Sequence, residues 1–335
     1  MKPIQLSKIF LIFIFCYLPL LLLSSQARAA LVDIKEDNNI VYALYAAPNK
    51  IVRYNLSDKE FLSDINLAKV PHTFDISGDK IYISFDRELR QTDLSGLNDT
   101  FIRNSSSKIT GITALNDYIF AVEENSNVLS INKETLAIVE TRDSHYRGRS
   151  YVSSNTQSAY YYRTTSVSPS DIHKVAIDAS GRTTSDKDSP YHGDYPGANK
   201  LYINSTENKI YDSAGLIYFT ENLTYAGSLA GKVDAMSFDG DSPIILRDNE
   251  LILFNPSGIE LGRIAVESEI RFVSTFNNSA FSFKEQAGST LAVNEYDISS
   301  FELPTPGERV NPVGLNYSPE KYEHNGGDTI FMLDR

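Results

Sequence analysis

Eight side chains of this 335-residue chain have types and positions suited to gripping an anion: His72, Lys108, His145, Arg147, Arg149, His192, Tyr195 and Arg271. Arginine offers a planar fork of donors that fits carboxylate or phosphate, and histidine adds a proton donor near neutral pH. Imidazole nitrogens also ligate metals, but His72, His145 and His192 lie far apart, without the short spacing of a zinc motif. No metal is assigned to them. Asp186, Asp188 and Asp194 alternate as oxygen donors do in a calcium loop, yet Gly and Glu do not fall at the matching positions. Calcium is the one cofactor left open, with no motif behind it.

A repeat places these residues together. Seven β-rich units follow the first forty residues, anchored at Tyr42, Tyr82, Phe120, Tyr160, Tyr211, Ile245 and Phe281. The spacings are 40, 38, 40, 51, 34 and 36 residues. A strand-built period near 40 predicts an all-β fold, a seven-bladed β-propeller with four strands to each blade. Blade two reads most clearly: His72–Ser77, a Gly78-Asp79 turn, Lys80–Phe85, Leu89–Leu94, then an outer strand at Thr100–Ile102. No window shows a 3.6-residue apolar period beyond two turns, so helix is expected to be essentially absent.

In such a ring the loop leading into each inner strand opens on one face, around the central funnel. His72 leads into blade two and Lys108 into blade three. His145, Arg147 and Arg149 lead into blade four, and His192 and Tyr195 into blade five. Arg271 begins the inner strand of blade seven. A basic mouth in an acidic molecule would focus an anionic ligand toward the axis. The 51-residue gap carries an inserted loop over 183–198, and such loops often bind. The tail over 310–335 holds two further strand candidates, Pro312–Leu315 and Thr329–Leu333. They would either close the ring or begin an incomplete eighth blade.

Residues 1–29 read as a signal peptide: Lys2 and Lys8, an apolar run from Ile9 to Leu23, then Ala27-Arg28-Ala29 before a mature start at Ala30. That run is shorter than the roughly 20 residues needed to span a bilayer, so no stable membrane anchor is expected. Cys16, the only cysteine, lies inside it, and the mature chain carries no disulfide framework. Loss of Lys2, Lys8 and Arg28 takes the net charge from −12 to −15, which argues against nucleic acid. The expected location is the periplasm or exterior of a bacterium, and the expected state a single β-propeller domain over 30–335, monomeric.

The unit Thr92-Asp93-Leu94-Ser95-Gly96 after Ile81-Tyr82-Ile83 resembles the repeat of the YVTN or quinoprotein-like superfamily of bacterial exported propellers. Val175-Ala176-Ile177-Asp178-Ala179-Ser180-Gly181 and Asn255-Pro256-Ser257-Gly258 echo it. The resemblance covers almost the whole mature chain, implies a propeller and carries no activity with it. Without Trp or a mature Cys, the chain lacks tryptophan-docking motifs, Trp-Asp repeats and c-type haem attachment. It also lacks P-loop, zinc-protease and nucleophile-elbow motifs.

Two functions follow from this reading. The first is a binding or scaffold protein that takes an anionic small molecule, a glycan or an envelope protein at the funnel mouth or inserted loop. The alternative is a lyase or hydrolase acting on an anionic glycan or peptide in the funnel. There His145 or His192 would move protons, and Arg147, Arg149 and Arg271 would fix the anion.

Overall fold

Asn38-Asn39, Asp248-Asn249 and Asn277-Asn278 each take left-handed φ angles between 46° and 62°. These two-residue turns match the right-handed twist of the strands they join, so the chain folds back on itself as a hairpin. In a computed structural model, which describes residues 31–144, 146–303, 322–324 and 330–332, such hairpins build seven antiparallel sheets.

Blade one is β1 (Leu31–Asp37), β2 (Ile40–Ala46), β3 (Asn49–Asn55) and β4 (Glu60–Asn66); blade two is β5 (Thr73–Ser77), β6 (Lys80–Phe85), β7 (Glu88–Asp93) and β8 (Thr100–Asn104). Blade three comprises β9 (Ile109–Leu115), β10 (Tyr118–Glu123), β11 (Asn127–Asn132) and β12 (Ile138–Asp143). Blade four comprises β13 (Gly148–Ser154), β14 (Ala159–Thr164), β15 (Ile172–Ile177) and β16 (Thr183–Asp188). Blade five follows with β17 (Leu201–Ile203), β18 (Lys209–Asp212), β19 (Leu216–Phe219) and β20 (Tyr225–Ser228). Blade six has β21 (Ala235–Asp239), β22 (Ser242–Arg247), β23 (Glu250–Phe254) and β24 (Glu260–Ala265). Blade seven has three strands among the described residues, β25 (Ile270–Phe276), β26 (Ser279–Gln286) and β27 (Thr290–Asp297). A short 3₁₀ turn at Ile298–Ser300 is the only helix described.

The core is divided into seven wedges, each filled by the facing side chains of neighbouring blades. Tyr42, Ile51, Phe74 and Ile83 fill the wedge between blades one and two, and Phe120, Val128, Tyr160 and Tyr162 that between three and four. The last wedge joins Tyr45, Val52 and Tyr54 of blade one to Phe281, Phe283 and Leu291 of blade seven, which closes a seven-bladed ring. Among the described residues, closure uses side chains and no shared strand. The Tyr45 hydroxyl donates to the Thr290 carbonyl at 3.2 Å, and the Ser289 hydroxyl to the Ala47 carbonyl at 2.7 Å.

The Asp-x-x-Gly units have a physical cause. Asp93 Oδ1 accepts from the amides of Ser95 and Leu97, and Asp178 Oδ1 from Ser180 and Arg182. Asn255 Oδ1 does the same for Ser257 and Ile259. The side chain thereby replaces the backbone acceptors that a tight turn leaves out. At Gly181 φ is +80°, and a Cβ would lie 2.4 Å from the Tyr118 ring, so glycine is required twice over.

The segment expected to be a loop from residue 183 begins instead with the outer strand β16. Thr183–Asp188 pairs with β15, and only the chain from Ser189 to Lys200 is loop. Its polar Thr-Thr-Ser-Asp-Lys-Asp composition hid it, because an outermost strand has little to bury. In the tail, β29 (Ile330–Met332) falls inside the expected Thr329–Leu333 strand and pairs with β28 (Tyr322–His324). Pro312–Leu315 lies outside the described residues.

Candidate functional site at the funnel mouth and inserted loop

His72 lies half-buried just before β5. Burial, aided by the nearby Lys108 charge and only partly opposed by Asp86, holds its imidazole below the usual histidine range. Lys108 stands before β9, while Arg147 and Arg149 are exposed at the start of β13. Among the described residues none of these three cations, nor the exposed Arg271 on β25, has an ion-pair partner within 4 Å. His145 lies outside the described residues.

The mouth is of mixed sign, where the sequence had pointed to a basic one. Burial and the Arg271 charge lower the pKa of Lys200, against the opposing pull of Asp33 and Asp234. Asp33 belongs to blade one and Lys200 leads into blade five, so these groups feel each other across the ring. Burial in turn raises the pKa of Asp33, despite Lys35. Lys35 donates to Asp75 at 2.7 Å, tying blade one to blade two. No spacing in the sequence relates Asp33 to Lys200, because blades one and five face each other only once the ring is closed.

The inserted loop is fastened by aromatic rings. Tyr191 and Tyr195 pack on the wedge between blades four and five, beside Tyr161, Leu201 and Tyr218. Their rings meet edge to face at 5.0 Å, and Tyr195 stacks on Tyr225 at 5.5 Å. The Tyr225 amide donates to the Tyr191 hydroxyl at 3.0 Å. Tyr195 therefore serves the packing of this wedge.

From that footing the loop presents His192. Its Nδ1 stands 3.2 Å from Asp171 Oδ2 and 3.6 Å from Asp188 Oδ2. The hydrogen bond to Asp171, with the charge of Asp188, lifts its pKa above the usual histidine value. Among the described residues, these three bring ligand atoms within 4.8 Å of one another and could hold a metal ion. One nitrogen and two oxygens suit zinc or manganese better than calcium. The trio Asp186, Asp188 and Asp194 is not assembled, because Asp186 is committed elsewhere.

That commitment is a second histidine–carboxylate pair, which the sequence did not reveal. His173 Nδ1 lies 3.0 Å from Asp186 Oδ1, and Arg142 of blade three donates to Asp186 Oδ2 at 2.8 Å. Arg142 also donates to the Tyr160 hydroxyl at 3.2 Å. The His173 ring stacks on Tyr162 at 5.0 Å and leans on Tyr146 at 5.1 Å. Burial is the largest single influence on Asp186 and acts upward, yet the bonds from His173 and Arg142 hold its pKa below the usual carboxylate value. A histidine inside the buried run Ile172–Ile177 was the one available signal.

Two surface hollows lie elsewhere. One of about 360 Å³ is lined by Asn277, Asn278, Ser279, Glu295 and Asp297 of blade seven; the other, about 160 Å³, lies between blades one and two beside Ile65, Leu67 and Arg90. Neither includes an expected site residue. Among the described residues no helix is long and apolar enough to cross a membrane.

No protein-family model and no curated protein sequence matches the chain. Solved structures do. Hsv2 of Kluyveromyces lactis is 12% identical with a TM-score of 0.58, over 81% of this chain and 99% of that one. Hydrazine synthase of Kuenenia stuttgartiensis is 10% identical with a TM-score of 0.58, over 82% and 98%. The computationally designed Ika8 protein is 13% identical with a TM-score of 0.56, over 78% and 82%. At such identities the likeness speaks to fold alone, and on that evidence the chain is a β-propeller.

Proposed function

We propose that this propeller is an exported binding module, kin to the YVTN or quinoprotein-like propellers, which takes an anionic ligand where its inner strands begin. One observation carries the reading: four cations stand where inner strands begin with no described carboxylate beside them. Arg90, by contrast, is paired with Glu88 and Asp99, and Arg263 with Glu250 and Glu260. Lys108, Arg147, Arg149 and Arg271, spread over blades three, four and seven, have no ion pair within 4 Å among the described residues. In a chain of net charge −12, cations left without carboxylates are available to an outside anion. The mixed sign of the mouth favours a ligand that also carries a donor for Asp33 or Asp234.

The test is calorimetric titration of an acidic oligosaccharide into the chain. Arg149→Ala and Arg271→Ala are each expected to weaken binding by about 1.5–3 kcal/mol, the worth of a charge-assisted contact. Arg263→Ala, on the outer strand β24, should leave it unchanged. Added salt should reproduce part of the loss, because such attraction is screened over about 8–10 Å. Binding that is indifferent to both mouth arginines and to salt would remove the proposal.

A further inference from the structure

Among the described residues, six blades end in an outer strand and the seventh has three strands. Blade seven stops at β27, an eight-residue strand with the character of an interior one: Leu291 is buried, Val293 packs toward blade one and Tyr296 toward blade six. Both its faces are covered, yet no described strand pairs with its outer edge. A bare edge of that length exposes a row of unpaired amides and carbonyls, which folded proteins rarely leave open.

The wall beside the gap is also unfinished. Phe61 on β4 of blade one is 49% exposed, although its ring meets Tyr54 edge to face at 5.0 Å and Tyr54 meets Phe283 of blade seven at 5.8 Å. Lys59, two residues away, reaches across to Glu295 of β27 at 2.8 Å. Phe61 thus borders the position that a fourth strand of blade seven would fill.

The chain itself carries a strand of the right kind. After the 3₁₀ turn, Glu302 pairs with Arg263 on β24, so the backbone leaves along the outer strand of blade six, next to the gap. The 18 positions from 304 to 321 can reach as far as about 60 Å when extended, more than enough to return to β27. β29, with its flanks, reads Thr329-Ile330-Phe331-Met332, close in type to the outer strands Glu60-Phe61-Leu62 and Thr100-Phe101-Ile102-Arg103. One edge of β29 is used by β28, and the other has no partner among the described residues.

We infer that β29 is the fourth strand of blade seven, laid along the free edge of β27 and covering Phe61. The tail then completes the blade next to the seam where the ring closes.

Replacing Cys16 by Ser leaves the full chain without thiols, so introduced cysteines report without background. Ala292→Cys is combined in turn with Ile330→Cys, Phe331→Cys and Met332→Cys, and mild oxidation is followed by non-reducing electrophoresis. The expected result is a disulfide within one chain for one parity of β29, either Phe331 or the pair Ile330 and Met332. In a second measurement, Phe61→Cys is labelled with a maleimide in the full chain. Phe331→Pro, which blocks strand pairing, should speed that labelling several-fold. No cross-link at any of the three positions, cross-links only between two chains, or labelling indifferent to Phe331→Pro would each overturn the inference.

Discussion

The two described histidine–carboxylate pairs share one chemistry and differ in nearly everything else. His173 and Asp186 lie on neighbouring strands of blade four, roofed by Tyr146 and Tyr162 and wired to Arg142 of blade three. His192 rides on the inserted loop with its side chain 62% exposed, reaching back to Asp171 and Asp188. Enclosed among rings and a guanidinium, the first pair is a rivet between blades. In water, the second is a latch that the surrounding pH can work.

The largest expected effect breaks the rivet. Asp186→Ala strips Arg142 and His173 of their shared acceptor inside a wedge, and a loss of about 3 kcal/mol is expected in chemical denaturation. Because the Asp186 pKa is lowered on folding, its contribution is present above the ordinary carboxylate value and fades as pH falls through the lowered one. The loss on mutation should therefore shrink in acid. A mutant as stable as the parent at neutral pH would reduce the network to decoration.

Next is the frame that holds β15 to β16. Gly181→Ala combines a left-handed φ with a Cβ driven into Tyr118, and a cost of about 1–3 kcal/mol should appear as a lower melting temperature. An unshifted melting curve would mean that the turn relaxes freely and that the His173–Asp186 hydrogen bond sets the strand spacing.

The latch should answer to pH and hardly to denaturant. His192 has a raised pKa in the fold, so its hold is fully present below the ordinary histidine value near 6.5 and is lost as pH rises through the raised one. Limited proteolysis within 189–200 should be faster at pH 8 than at pH 5, and His192→Ala should flatten that difference. Equal cleavage of the parent at both pH values would show that Tyr191 and Tyr195 hold the loop unaided.

The smallest effect belongs to a mouth cation. Arg147→Ala should change stability by no more than about 0.5 kcal/mol, as expected for an exposed side chain outside any network. A larger loss would place Arg147 in a structural pair and weaken the case for an anion at the mouth.

How much of this was visible in the sequence depended on whether the signal was local. The Tyr82 and Phe120 anchors, the β6 boundaries at Lys80 and Phe85, and the Asp93 and Asp178 turns all rest on neighbours within a few positions, and the structure has each of them. β16 is hard to tell from loop in the sequence because an edge strand has only one neighbour to bury against. Nothing in the chain position of Tyr195 announces the wedge that takes its ring. Asp171 joins His192 from 21 positions away and Arg142 joins Asp186 from 44, separations that no periodicity announces.

The order of strands has a kinetic consequence. Every described four-stranded blade is built from consecutive chain, so each can zip up as soon as its own 28 to 41 residues are free to pair. One encounter must wait: Tyr45 meets Thr290, 245 positions later, only once six other blades exist. Until then the arc keeps two apolar faces bare, that of blade one from the first moments of synthesis and that of the newest blade in turn. The time spent as an open arc, more than the strength of any single wedge, is the interval in which this protein is most exposed to association with its neighbours.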